Sequence, residues 1–75
     1  VDVVDVWTGE AACYLQAAMR STNEAFAAHL GVAVRTIATW HADPSIVPRA
    51  EIQSALDTTY ERAGETVRSR FALLS

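Results

Sequence analysis

Residues Thr22 to Trp40, TNEAFAAHLGVAVRTIATW, leave the fold few options. Thr22 is a residue type that caps a helix, and Glu24 in the following turn suits the positive end of the helix dipole. Phe26, Ala27 and Leu30 then recur at helical spacing as a buried stripe. Gly31 follows, the residue type that ends a helix in the left-handed conformation, with Val32 as an apolar contact across the stop. A second helical period opens near Val34. It puts Ile37, Trp40 and His41 on one side and Arg35, Thr39 and Ala42 roughly opposite. Two short amphipathic helices joined at one glycine must cross steeply, and their backbones approach where a small residue, Ala27, allows it. The pattern predicts a helix-turn-helix over residues 22–40.

The flanks read as further helices. Thr8 caps a first helix with Glu10 in its first turn, Ala11, Leu15, Ala18 and Tyr14 on its inner face, and an end near Arg20. Asp43-Pro44-Ser45 is a breaker cluster, and Pro48 stands at the front of a fourth helix whose stripe is Ile52, Leu56, Thr59, Tyr60 and Ala63. Gly64 interrupts. Residues Glu65 to Leu74 form a fifth helix or a bent continuation, with Val67, Phe71 and Leu74 on one face. This last segment either closes the core against the first helix or offers a dimer surface or junction to a further domain. The opening VDVVDV is an extended arm, residues 1–7, too acidic to enter a minor groove. No run suggests a sheet. The expectation is an all-α chain, one compact bundle of about five short helices over residues 1–75.

Composition adds bounds. Seventy-five residues make one small domain with a modest core. A single cysteine, Cys13, excludes an internal disulfide and fits a reducing setting. No apolar run reaches membrane-span length, and VDVVDV lacks the basic leader of a signal peptide. The expected location is cytoplasmic. Because the chain opens on Val1 rather than Met, it is expected to be processed or cut from something longer, with the N-terminal part of a longer regulator as one option. The formal net charge is −3, yet residues 20–49 hold Arg20, Arg35 and Arg49 against Glu24 and Asp43, whereas Asp2, Asp5 and Glu10 precede them without a base. Every basic residue is Arg, a preference that GC-rich codon usage explains as simply as binding does.

Residues 22–40 resemble the helix-turn-helix of the lambda-repressor-like (Xre-type) DNA-binding domains, and the likeness extends more loosely from Trp7 to about Phe71. Gly31-Val32-Ala33-Val34-Arg35-Thr36-Ile37-Ala38-Thr39-Trp40 is similar to a GVxVRTxxxW stretch in regulators of GC-rich actinobacteria. The resemblance implies a bundle of about five helices whose third helix reads bases in the major groove of double-stranded DNA, at the bacterial nucleoid. By position it implies base-reading sites at Val34, Arg35 and Thr39, with Thr36 at the groove edge reaching base or phosphate. Arg35 would donate to guanine O6 and N7, Thr39 would offer a hydroxyl or a methyl, and Val34 only apolar contact. Asn23 stands where the family often has a phosphate-touching Gln, at a helix end whose backbone N–H groups also suit a phosphate. Arg20, Arg49 and His41 are weaker phosphate candidates. The family binds paired half-sites, which implies a homodimer or an additional C-terminal domain in the intact protein. Two positions depart from the pattern. Ala33 replaces the usual Ser or Thr cap, forfeiting roughly 1 kcal/mol, and His41 replaces a frequent Glu.

Other chemistry finds no footing. His29, His41 and Cys13 fall on separate helices without ligand spacing, so no metal is expected. Asp57, Glu61 and Glu65, spaced by four, mark a solvated face. No nucleophile–base pattern or phosphate-cradling loop occurs, so neither catalysis nor a cofactor is expected. The rival reading is a helix-turn-helix used as a protein-interaction module, consistent with the acidic net charge and a recognition face bearing one charged residue.

Overall fold

The computed structural model describes residues 4–75, and residues 1–3 of the expected arm lie outside them. Five helices follow in order: α1 Gly9–Met19, α2 Asn23–Leu30, α3 Val34–Ala42, α4 Ala50–Arg62 and α5 Glu65–Leu74. There is no strand among the described residues. The chain is an all-α bundle of 29 × 23 × 19 Å, in which α1 packs on α5 and α3, and α2 packs on α3 and α4.

Local chemistry accounts for most boundaries. The Thr8 hydroxyl accepts from the Ala11 N–H at 3.2 Å and starts α1. The Thr22 hydroxyl accepts from the Ala25 N–H at 3.1 Å and starts α2. At the end of α2, Gly31 takes φ 74°. Its N–H reaches the Ala28 carbonyl at 3.3 Å, and the Val32 N–H reaches back to Ala27 at 3.0 Å, a Schellman closure. The same closure ends α1, where the left-handed residue is Arg20 at φ 55°, with Arg20 and Ser21 N–H groups bonded to Ala17 and Gln16 carbonyls. Gly64 separates α4 from α5, so the fifth segment is a helix of its own.

The core is built on Trp7, Leu15, Phe26, Ile37 and Leu56, all essentially sealed from solvent. Trp7, Tyr60 and Phe71 form an aromatic trio with ring centroids 5.2–5.9 Å apart in edge and tilted orientations, the geometry aromatic quadrupoles favour. The Trp7 indole Nε1–H donates to Asp57 Oδ1 at 2.7 Å. Gln53 clamps the Trp7 backbone, accepting from its N–H and donating to its carbonyl, both at 2.8 Å. The arm is therefore anchored at its end: Asp5 and Val6 form a bend and Trp7 plugs the bundle.

Three expectations need correction. The buried alanine three residues before Leu15 in α1 is Ala12, and Ala11 is half-buried, in a helix that packs against two neighbours, α5 and α3, rather than one. Pro48 lies two residues ahead of α4, with Arg49 at the cap. Leu74 is exposed, so the inner face of α5 rests on Phe71 and half-buried Val67.

Candidate nucleic-acid interface

The site begins with what holds α3 in place. Ile37 and Trp40 point its inner face into the core at 0% and 2% exposure. Behind Trp40, Gly9 brings the start of α1 close to the end of α3. A Cβ at Gly9 would stand 3.3 Å from the Trp40 Cβ and 3.2 Å from the Asp43 carbonyl oxygen. That approach lets Gly9 and Glu10 N–H groups donate to the Ile46 and Pro44 carbonyls at 2.7 and 2.9 Å, which satisfies two orphan donors at the start of α1. The α3–α4 loop is thus tied to α1, and α3 is fixed at both its core face and its C-terminal end.

A polar network fixes the third side. Gln16, buried on α1, gives its Nε2 protons to the Ser21 carbonyl at 3.2 Å and to Asn23 Oδ1 at 2.7 Å. Its Oε1 is then the acceptor for His41 Nε2 at 3.0 Å. That assignment makes His41 carry its proton on Nε2, because Gln16 Oε1 has none to give. One amide therefore ties α1, the front of α2 and the last turn of α3 together. Gln16, Gly9 and Trp7 carry no local signal of these roles, since each depends on residues remote in sequence.

The residues read from the sequence fall as follows. Arg35 is exposed on the outward face of α3, and it is in no ion pair: the one pair among the described residues is Arg49 with Glu51, 3.4 Å apart on the surface. Val34 is 41% exposed at the front of the helix. Thr39 is exposed and its hydroxyl donates to the Arg35 carbonyl at 2.9 Å. Thr36 is half-buried and lines a groove with Thr39, Trp40, Val47 and Arg49 between α3 and the loop after it. These four residues share one surface. Asn23 lies at the first position of α2, half-buried. With Oδ1 engaged by Gln16, its Nδ2 is the group left to an outside acceptor. Thr22 has its hydroxyl and carbonyl occupied by Ala25 and Phe26 N–H groups, so it is a cap, and the Asn23 and Glu24 N–H groups remain at the helix end. Arg20 shares a small groove with Arg70, Leu73 and Leu74 at the α1–α5 seam and with no residue of α3. Ala33 makes no side-chain cap to α3.

Chemically the surface offers one forked cation without a partner on α3, a second guanidinium across the groove, Arg49, that is paired with Glu51, methyl groups and, at the front of α2, amide donors. His29, His41 and Cys13 are not gathered: no group of three metal-binding side chains occurs among the described residues. Burial pushes the Cys13 thiol above its ordinary value, and Tyr14 is raised chiefly by the Glu10 charge; neither lies on α3. No helix among the described residues is long and apolar enough to cross a membrane. No family model, no curated protein and no solved structure matches the chain.

Proposed function

We propose that the chain is a sequence-specific DNA-binding domain of a bacterial transcriptional regulator of the lambda-repressor-like (Xre) type, acting in the cytoplasm at the nucleoid. In this reading α3 enters the major groove of double-stranded DNA from its Val34 end. Arg35 donates to guanine, Val34 and Thr39 meet neighbouring bases, and Thr36 stands at the groove edge. Asn23 Nδ2 and the N–H groups at the front of α2 take a phosphate. A second copy or a further C-terminal domain supplies the remaining affinity.

The observation that carries this reading is the division of α3 into two faces. Ile37 and Trp40 are sealed in the core, while Arg35 stands on the bare outer face without a carboxylate partner. A solvated guanidinium with no carboxylate partner is free to fork onto a base edge, and a helix of this diameter fits the major groove. The net charge of −3 and the single cation on that face favour the second reading, a protein-interaction module.

Duplex binding across salt concentrations separates the two. The DNA reading predicts affinity that falls with rising salt through counterion release. Arg35→Ala then loses a further ~1–3 kcal/mol on the preferred site, and Arg35→Lys, which keeps the charge and loses the fork, recovers only part of it. A dimerised chain that binds no duplex at low salt overturns the DNA reading in favour of the interaction module.

A further inference from the structure

The outer face of α3 is nearly empty of hydrogen-bond donors. At about 100° per residue, Val34, Ala38 and Ala42 form one row, Arg35 and Thr39 the next, and Thr36 the far edge. Ala38, Ala42, Arg35 and Thr39 are exposed, and Val34 is 41% exposed. Thr39 looks like a second polar reader, but its one hydroxyl proton is committed to the Arg35 carbonyl at 2.9 Å. What it turns outward is a methyl group and oxygen lone pairs. Past Thr36 the surface continues onto Val47, 60% exposed on the α3–α4 loop. Val47 and Thr36 flank a groove of about 390 Å³.

Each base edge asks for something different in the major groove. Adenine asks for an amide that both donates and accepts, and cytosine asks for an acceptor such as a carboxylate. Guanine asks for a fork of donors, and thymine presents a methyl group. This face has no amide and no carboxylate along α3, one fork at Arg35, hydroxyl oxygens at Thr36 and Thr39, and methyl groups elsewhere. We propose that the chain selects a half-site in which one G·C pair, read by Arg35, is flanked by thymines. Their methyl groups pack on Val34, Ala38, the Thr39 methyl and Val47. Ala38 and Val47 then join the specificity-determining residues, and Thr39 acts through its methyl. This inference rests on the DNA-binding reading and specifies the class of sequence that the site takes.

Replacing thymine by deoxyuridine deletes the methyl and leaves every hydrogen-bonding group of the base pair in place. Duplexes enriched at low salt from a random pool by the dimerised 75-residue chain are compared with their deoxyuridine counterparts by titration. Each buried methyl removed is expected to weaken binding about fourfold, so two flanking replacements lose on the order of tenfold or more. Val47→Ser abolishes the thymine preference at the position nearest the α3–α4 loop, with the helical signal in circular dichroism unchanged because the side chain is exposed. Should that variant misfold, the wild-type comparison decides alone. Enriched duplexes that depend on Arg35 but bind equally well with deoxyuridine, or that contain no thymine beside the guanine, overturn the methyl readout and leave the DNA reading standing. If no duplex is enriched, or binding ignores Arg35, the DNA reading falls and this inference falls with it.

Discussion

Replacing Trp7 tests how much of the bundle hangs on a residue just outside the first helix. The indole is 1% exposed, stacks against Tyr60 and Phe71, and donates to Asp57. Truncating a buried aromatic of this kind to alanine costs about 3–5 kcal/mol, because transfer energy is lost and a cavity stays behind. A chain of 75 residues has a total stability of roughly 4–11 kcal/mol at about 0.05–0.15 kcal/mol per residue. Trp7→Ala therefore removes from about a quarter of that stability to all of it. Trp7→Phe keeps the aromatic contacts and loses the indole N–H bond and some volume. Since Asp57 is exposed, its carboxylate returns to water, and the cost is about 1–2 kcal/mol. The assay is urea denaturation followed by far-ultraviolet circular dichroism, with Trp40 fluorescence as a second probe. At an m-value of about 1 kcal/mol/M, Trp7→Ala lowers the midpoint by about 3 M or more, and Trp7→Phe by about a third to a half of that. A Trp7→Ala midpoint within about 0.5 M of the wild type, at unchanged m, would refute the placement of Trp7 as the plug of the core.

Three further outcomes follow from local geometry. Ala33→Ser supplies the missing cap to α3, where no side-chain bond exists, and raises stability by about 1 kcal/mol in the same denaturation experiment; no gain would mean the cap position is strained. Arg20→Gly relieves a non-glycine residue at φ 55° and stabilises by roughly 0.5–1 kcal/mol after the extra freedom of glycine in the unfolded chain is subtracted, so a destabilised variant would show that the arginine side chain outweighs its backbone. The folded Cys13 pKa lies above its ordinary value because burial disfavours the thiolate. The stability this contributes is present below the unfolded pKa and is lost as pH rises through it toward the folded one. Alkylation near pH 8 is therefore several-fold slower in the folded chain than in urea, and equal rates would contradict a shielded thiol.

The helices α2 and α3 and the turn between them were legible because their signals are local. Thr22 accepts from a residue three positions on, Gly31 satisfies carbonyls within the turn just before it, and the stripes of α2 and α3 repeat at helical spacing. A chain segment can display such features before it has any tertiary neighbour. The candidate readers Arg35 and Thr39 were legible for the same reason, as the positions opposite Ile37 and Trp40. Less of the interface could be read when the deciding contact was remote. Nothing near Gln16 says that its amide will join Asn23 to His41. The Thr39 hydroxyl is a local case by contrast, since it makes the i−4 back-bond to the Arg35 carbonyl that a helical threonine has within reach.

The sequence alone determined a bundle of about five helices, the caps at Thr8 and Thr22, the stop at Gly31 and which side of α3 is apolar, because those depend on backbone propensity and a 3.6-residue period. The tertiary structure decided the rest. It chose Ala12 over Ala11 as the buried alanine beside Leu15, made Trp7 the centre of the core through Gln53 and Asp57 about fifty positions away, and drew Gly9 against Trp40. It also set Val47 beside α3. These outcomes depend on how rigid helices pack and on which buried donors find acceptors, and no window of neighbouring residues contains that information.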